Sequence, residues 1–161
     1  MRTALYPGTF DPITYGHIDI AKRASQIFYR VIAVVAENPS KNPLFNVEER
    51  LEMVRDALQD VSNIEVISYS GLIVNCLKEY SGSAIIRGLR ALSDFEYEFQ
   101  MAYTNRNLHS SAETVFFMPS SEYTYLSSTM VKQIARHNGK ISDFVPEHVR
   151  IKLLEKYGFS R

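Results

Sequence analysis

The feature that most constrains the fold of this chain is the apolar run Val31–Ala36, Val-Ile-Ala-Val-Val-Ala, which contains no polar residue. A strand with one face in water alternates apolar and polar residues, whereas a parallel strand covered on both faces is apolar throughout. The run therefore predicts a buried parallel strand in a sheet that helices cover on both sides.

Further strand and helix patterns alternate along the chain. The other candidate strands are Thr3–Tyr6, Ile64–Tyr69, Ala84–Ile86 and Thr114–Met118. Apolar residues at helical spacing, together with cap residues, predict helices over His17–Tyr29, Val47–Gln59, Leu72–Tyr80, Ser93–Leu108, Ser128–Asn138 and Pro146–Tyr157. Five strands separated by helices, with few hairpin signals, predict an α/β fold with a parallel sheet.

Length and charge narrow the class of protein. The 161 residues suffice for one domain, 1–161, and 18 Lys plus Arg balance 18 Asp plus Glu. A net charge of zero argues against nucleic acid or an anionic membrane as a partner bound by bulk charge. No apolar run approaches the roughly 20 residues that span a bilayer. The single cysteine, Cys76, leaves no internal disulfide, so we expect a soluble, cytoplasmic protein.

Two groups of polar residues have a plain structural interpretation. The charged residues of the Val47–Gln59 helix, Arg50 and Arg55 among them, are interpreted as a solvated face. The histidines outside the first loop, His109, His137 and His148, lack the spacing of metal ligands. We therefore expect no structural metal site.

The loop after the first strand, Pro7–His17, is the first candidate for chemistry. Gly8 allows backbone N–H groups to approach a ligand closely, and Thr9 adds a hydroxyl. Thr14 as N-cap places His17 in the first helical turn, where the helix dipole favours a neutral imidazole that donates to an oxyanion. A lone Thr-x-Gly-His turn is structural in most chains, and this loop lacks the Walker A and G-x-G-x-x-G patterns. Asp11 and Asp19 are interpreted as helix-start acids.

Three later loops add cationic and hydroxyl groups. Lys41 follows the second strand, Arg87-Gly88-Leu89-Arg90 follows the fourth, and Ser120–Thr129 leads into a helix. Each has an ordinary reading: a surface lysine, a salt-bridged turn and a helix cap. Ligands bind beyond the carboxyl ends of parallel strands, however, and these loops end successive strands. Together they predict a polyphosphate or nucleotide site, with surplus hydroxyls at the helix start free for phosphate.

These motifs resemble those of the bacterial phosphopantetheine adenylyltransferases, nucleotidyltransferases with the T/H-x-G-H motif. The matching stretches are Tyr6–His17, Pro39–Lys41, Ile86–Arg90 with Asp94–Glu98, and Leu126–Thr129. They span most of the chain in the family's order. The resemblance implies a Rossmann-like, doubly wound, five-stranded parallel sheet in a single domain with C-terminal helices.

The resemblance also implies an activity and a set of ligands. The activity is transfer of the adenylyl group of ATP to 4′-phosphopantetheine, giving dephospho-CoA and pyrophosphate, with Mg²⁺ as cofactor and a homohexameric enzyme. His17 and Lys41 would be catalytic. The residues implied for phosphopantetheine are Thr9, Lys41, Ile73 and Arg87. Those implied for ATP are Thr9, Phe10, His17, Gly88, Leu89, Arg90, Glu98, Tyr123, Thr124, Tyr125, Leu126, Ser127, Ser128 and Thr129.

Two departures and three alternatives accompany the resemblance. Tyr15 stands where the family often has Asn, and the serine-rich motif ends in Thr129 and begins at Tyr123. Another nucleotidyltransferase, using nicotinate mononucleotide or CTP, would share the first loop. A nucleotide sensor would bind ATP without releasing pyrophosphate, although it would not need His17. An assembly protein with a vestigial site would use the aromatic residues of the Ser93–Leu108 helix as an interface.

Overall fold

The apolar run 31–36 lies in a parallel strand, as the sequence predicts. The computed structural model describes residues 2–37, 42–90 and 92–159. Within them the strands are β1 (Thr3–Gly8), β2 (Arg30–Glu37), β3 (Ile64–Ser70), β4 (Ala84–Gly88) and β5 (Glu113–Phe117). They form one sheet in the order β3-β2-β1-β4-β5, and every pairing is parallel. The predicted Rossmann-like sheet is therefore confirmed.

Helices connect and follow the strands. They are α1 (Tyr15–Ile27), α2 (Val47–Leu58), α3 (Ile73–Glu79), α4 (Leu92–Leu108), α5 (Ser128–Arg136) and α6 (Glu147–Lys156). A short 3₁₀ turn, Ser121–Tyr123, precedes α5. The helix bounds differ from the sequence prediction by at most two residues, which is the usual uncertainty at helix ends. None of the helices among the described residues is both long enough and apolar enough to cross a membrane.

The start of α2 shows how a local pattern determines a helix end. The side chain of Asn46 accepts a hydrogen bond from the Glu49 amide at 2.8 Å, and the Glu49 carboxylate accepts one from the Asn46 amide at 2.8 Å. This reciprocal capping box satisfies two amides that have no partner inside the helix. It confirms the start predicted from the Asn46–Glu49 spacing.

Both faces of the sheet are buried. Along β2, Val31, Ala33 and Val35 belong to the larger core cluster, which α1, α2, α5 and α6 cover. Ile32 and Val34 belong to a second cluster on the opposite face, with residues of α3. Successive side chains of a strand point to opposite faces, so a strand covered on both sides must be apolar at every position.

One charged residue of α2 contradicts the sequence interpretation. Arg55 is exposed, as a solvated face requires, but Arg50 is only 2% exposed. Arg50 lies one turn before Met53 and Val54, both fully buried, and so shares their face of the helix. The interpretation of Arg50 as a surface residue is therefore wrong.

Candidate active site

The first loop is built around a buried aromatic residue. Phe10 is 2% exposed and has a positive φ of 49°. Its ring packs edge-on against Tyr6 at 5.5 Å and against His17 at 5.2 Å between centroids. A Cβ atom on Gly8 would lie 2.8 Å from the Phe10 ring. Gly8 is therefore needed to make room for Phe10, and the Phe10 ring in turn packs against the His17 ring.

His17 is held by the residue that begins its helix. The backbone N–H of Thr14 donates to His17 Nδ1 at 3.1 Å, and the Thr14 hydroxyl lies 2.9 Å from the same atom. An amide nitrogen can only donate, so Nδ1 is the acceptor and the ring proton is on Nε2. Thr14 is the N-cap, as predicted, and the imidazole occupies the capping-box position that Glu49 occupies in α2. The imidazole thus presents a fixed N–H donor.

The environment of His17 keeps the ring neutral. Burial, followed by the positive charges of Arg90 and Arg87, lowers the pKa of His17 to about 4. The sequence predicts a neutral imidazole through the helix dipole; in the structure, burial and the two arginines are the causes. Their effect also shows that His17, Arg87 and Arg90, which are distant in sequence, share one region of the sheet's carboxyl edge.

Arg87, at the end of β4, is bound to a carboxylate of α4. Its Nε and Nη2 atoms donate to the two Glu98 oxygens at 2.7 and 2.5 Å, and Nη1 donates to the Pro7 carbonyl at 3.0 Å. Burial disfavours the charge, but the bonds to Glu98 outweigh it, so the pKa of Arg87 is raised. The fork geometry leaves further N–H groups on Nη1 and Nη2 for an anion. Glu98 is buried while the adjacent Tyr97 is exposed, as their neighbouring positions on a helix require.

Arg90 joins the fourth-strand loop to the segment before α5. Its Nη1 atom donates to the Leu126 carbonyl at 3.3 Å, and its Nε atom donates to Asp94 at 3.2 Å. The Leu126 side chain is buried in the larger core cluster. Arg90 therefore links the segments 88–90 and 123–129, both of which are predicted to bind ATP.

The two residues between these arginines are fixed by packing and backbone bonds. A Cβ atom on Gly88 would lie 2.6 Å from the Cδ1 methyl of Ile20 in α1, so a larger residue would require the Ile20 side chain to move. The Leu89 amide donates to the Phe117 carbonyl at 3.0 Å. These contacts hold the β4 loop against both α1 and β5.

The start of α5 uses two of its three hydroxyls internally. Ser127 is the N-cap, and its side chain accepts a hydrogen bond from the Met130 amide at 3.1 Å. The Ser128 hydroxyl donates to the Pro12 carbonyl at 2.8 Å, which ties α5 to the first loop. The prediction of surplus hydroxyls free for phosphate is thus wrong for Ser128 in this structure. The hydroxyl of Thr129 has no hydrogen-bond partner among the described residues.

The segment before α5 lies beside α1. The rings of Tyr123 and Tyr15 are 6.3 Å apart between centroids. The Thr124 hydroxyl donates to the Ser120 carbonyl at 3.5 Å, whereas Tyr125 is 86% exposed. Tyr15, at the position where the family often has Asn, therefore contributes an aromatic contact to this segment.

Asp19, interpreted from the sequence as a helix-start acid, has a different role. It lies beyond the first turn of α1 and accepts from both the amide and the hydroxyl of Ser120, at 3.0 and 2.9 Å. These bonds link the helix of His17 to the segment that precedes α5. The contact joins residues 101 positions apart, so no local pattern indicated it.

Asp11 is likewise not a helix-start acid. It precedes the Thr14 cap, is 4% exposed, and accepts from the amides of Leu44 and Phe45, both at 2.9 Å. Asp11 also forms an ion pair with Lys132 of α5. Asp11 therefore connects the first loop, the segment before α2 and α5.

Two predicted substrate-binding residues, Ile73 and Lys41, have no described contact with the groups above. Ile73, partly buried, is the first residue of α3, and Leu72 is its N-cap. Lys41, together with Asn38, Pro39 and Ser40, lies outside the described residues. Within 2–37, 42–90 and 92–159, no group of three or more His, Cys, Asp or Glu side chains is placed to hold a metal ion.

Comparison with known proteins places the chain in a family. Residues 5–134 match the cytidylyltransferase-like family. The chain is 52% identical to a phosphopantetheine adenylyltransferase of Caldanaerobacter subterraneus subsp. tengcongensis over 157 residues, which is 98% of each chain. It is 54% identical to that of Dictyoglomus turgidum over 157 residues, again 98% of each. The chain belongs to the phosphopantetheine adenylyltransferase family.

A solved structure supports the fold assignment. A protein described as a nicotinate-nucleotide adenylyltransferase from Vibrio parahaemolyticus superposes with a TM-score of 0.72, covering 98% of this chain and 97% of that one. At 17% identity this likeness concerns the fold alone. The phosphopantetheine adenylyltransferase resemblance seen in the motifs is confirmed over nearly the whole length by the sequence relatives.

Proposed function

We propose that this chain transfers the adenylyl group of ATP to 4′-phosphopantetheine and releases dephospho-CoA and pyrophosphate. The observation that carries the proposal is the 52% identity, over 98% of the chain, to a protein named for this activity. The geometry supports it, because a neutral His17 with a fixed Nε2–H lies near two arginines at the carboxyl edge of the sheet.

The reaction needs no enzyme nucleophile. A phosphate oxygen of phosphopantetheine attacks the α-phosphorus of ATP, the bond from that phosphorus to the bridging oxygen breaks, and pyrophosphate leaves. The protein contributes position and hydrogen-bond donors for the negative charge that grows on the α-phosphoryl oxygens. His17 is suited to this role because Thr14 fixes its tautomer, so the donor needs no rearrangement as the charge develops.

The substrate contacts follow the family resemblance. Phosphopantetheine contacts Thr9, Ile73, Arg87 and Lys41; ATP contacts the first loop, the segment 88–90, Glu98 and the segment 123–129. What supports the arginine role is the fork of Arg87, whose position Glu98 and the Pro7 carbonyl hold while donors remain for a phosphate. The family resemblance assigns Lys41, which lies outside the described residues, a catalytic role as a cation for the transferred phosphoryl group.

Mg²⁺ enters as part of the ATP substrate in this proposal. Mg²⁺ retains several waters and is bound mainly by substrate phosphates, with one or two carboxylates at most. Three carboxylates around the site, Asp11, Asp94 and Glu98, each bind a cationic side chain of this protein. The donor set therefore fits a metal delivered by ATP, whose charge would offset that of the phosphates.

Pyrophosphate release tests the proposed activity. ATP and CTP are each supplied with phosphopantetheine, nicotinate mononucleotide or a phosphorylated alcohol as acceptor. We expect release only with ATP and phosphopantetheine. Release with another pair would assign a different nucleotidyltransferase activity, and ATP binding without release would favour the sensor alternative.

The lowered pKa of His17 gives a direct spectroscopic expectation. The neutral ring prevails above about pH 4, so the ¹⁵N chemical shifts of His17 should stay constant between pH 8 and pH 5.5. The unfolded chain takes up this proton near pH 6.5, so the contribution of His17 to stability is present above that pH and is lost as the pH falls towards 4. A His17 titration midpoint near 6.5 in the folded protein would contradict the assignment.

We further propose that the active form is a homohexamer. Support comes from α4, where Phe95, Tyr97, Phe99 and Tyr103 are 44 to 61% exposed and the Phe99 ring contacts those of Phe95 and Tyr103. Exposed apolar clusters of this kind are typical of interfaces between protein chains. Sedimentation velocity at micromolar concentration should give the mass of six chains; a stable monomer would overturn this assignment.

The proposal places the enzyme in the cytoplasm, where ATP is available. Cys76 is a free, buried cysteine, which is compatible with a reducing compartment. Fractionation of cells with an antibody against the chain tests this location.

A further inference from the structure

Arg50 is a buried cation bound to the backbone of three segments. It is 2% exposed. Its Nη1 atom donates to the carbonyls of Thr9 at 2.7 Å and Ala36 at 3.0 Å. Its Nε atom donates to the carbonyls of Phe45 at 3.2 Å and Asn46 at 3.3 Å. One side chain thus joins the first loop, the end of β2 and the start of α2.

This arrangement differs from that of most buried charges. A buried arginine usually pairs with a carboxylate, because an isolated charge is costly to remove from water. Among the described residues, the hydrogen-bond acceptors of Arg50 are all backbone carbonyls. Such bonds fix backbone positions, and the shared Nη1 donor fixes Thr9 relative to Ala36.

The first loop, whose Thr9 carbonyl Arg50 binds, contains an unfavourable backbone conformation. Phe10, next to Thr9, has a positive φ of 49°, which is unfavourable for a residue with a side chain. Asp11, the following residue, binds the amides of Leu44 and Phe45. Both neighbours of Phe10 are therefore tied to the segment 44–46. Arg50 bridges the Thr9 carbonyl to the carbonyls of Phe45 and Asn46, and Asp11 accepts from the amides of Leu44 and Phe45.

We propose that Arg50 is a positioning residue for adenylyl transfer. By holding the Thr9 carbonyl, it sets the location of the loop residue that the family resemblance assigns to both substrates, and it keeps this loop in register with the end of β2. The inference rests on the proposed function, because Thr9 matters only if the site binds those substrates. Arg50 acts through Thr9 and touches no reacting atom.

Replacing Arg50 measures this role. We expect Arg50→Met to lower kcat by about tenfold, because small displacements of positioning groups reduce rates steeply. Arg50→Lys retains the charge but replaces the fork with a single ammonium, so its kcat should fall between those of Arg50→Met and wild type. Steady-state kinetics with each substrate varied in turn, well below the unfolding temperature, provides kcat and both KM values.

Two variants of the same helix separate positioning from stability. Leu58→Ala shortens a buried side chain at the far end of α2 and lowers the melting temperature, and Leu58 is not among the residues whose carbonyls Arg50 binds. Arg55→Met removes an exposed arginine of α2. Both should retain kcat within twofold of wild type. An equal loss of kcat in Leu58→Ala at a similar melting temperature would show that Arg50 acts through stability alone and would overturn the proposal.

The outcomes also distinguish this inference from the proposed function. An inactive wild-type protein would refute the proposed function, whereas an active wild type with Arg50→Met kinetics within twofold of it would refute only the positioning role. If Arg50→Met does not fold, Arg50→Lys decides: a folded variant with kcat reduced threefold or more supports positioning. Wild-type kcat and KM values in that variant, despite a lowered melting temperature, overturn it.

Discussion

Replacement of His17 by alanine should lower kcat by about 10²–10³-fold, equivalent to about 3–4 kcal/mol, while ATP still binds. The reason is that His17 presents Nε2–H as a fixed donor, because the Thr14 amide occupies Nδ1 at 3.1 Å. Such a donor stabilises charge that grows only in the transition state, so its loss affects turnover more than ground-state affinity. Pyrophosphate release measures kcat, and calorimetry measures ATP affinity.

A matched control separates this effect from altered packing. The Phe10 ring contacts His17, so His17→Ala also removes an aromatic contact, and its melting temperature must be compared with that of wild type. His137, exposed at the end of α5, provides a control histidine, and His137→Ala should retain full turnover. Turnover within threefold of wild type in His17→Ala would remove His17 from the mechanism.

Replacement of Arg87 by alanine should lower kcat/KM for phosphopantetheine by about 100-fold, mainly through KM. Hydrogen bonds to charged groups contribute about 1.5–3 kcal/mol each, and the Arg87 fork still has donors for the substrate phosphate beyond those that Glu98 uses. The same substitution leaves the buried Glu98 carboxylate without its cation, so we also expect a lower melting temperature. Kinetics with phosphopantetheine varied at saturating ATP measures the first effect, and thermal unfolding measures the second.

The double variant Arg87→Ala with Glu98→Gln separates binding from stability. Neutralising Glu98 removes the unpaired buried charge, so the melting temperature should recover towards that of wild type. The KM for phosphopantetheine should stay high, because the arginine is still absent. If KM is unchanged in Arg87→Ala itself, Arg87 does not bind the substrate phosphate.

The sequence is most reliable where the cause of a structure is local. The capping box of α2 needs only Asn46 and Glu49, three residues apart, and both of its hydrogen bonds are present. The apolar run 31–36 predicts a strand buried on both faces because alternating side chains of β2 enter different cores. The placement of Arg87 and Arg90 near His17 follows from the parallel sheet, whose strands end at one edge.

The errors concern residues whose partners are distant in sequence. Asp11 and Asp19 bind segments about 33 and 101 positions away, which no spacing rule relates to them. The burial of Arg50 was indicated by the sequence, because residues 50, 53 and 54 share a helix face and the last two are apolar. We interpreted Arg50 as exposed because charged residues usually lie in water. That rule fails here because backbone carbonyls accept hydrogen bonds from the buried guanidinium.

The sequence by itself determined the order of strands and helices, the position of the four loops and the family, because these follow from local patterns and from motifs in fixed order. Only the tertiary structure decided what each polar side chain does. Glu98 binds Arg87, Ser128 binds Pro12, and Arg50 binds Thr9. The last two contacts replace roles that the local sequence suggests, a hydroxyl free for phosphate and a solvated surface charge. The physical reason is that a buried polar group must find a partner, and the fold, rather than the neighbouring residues, determines which partners are within reach.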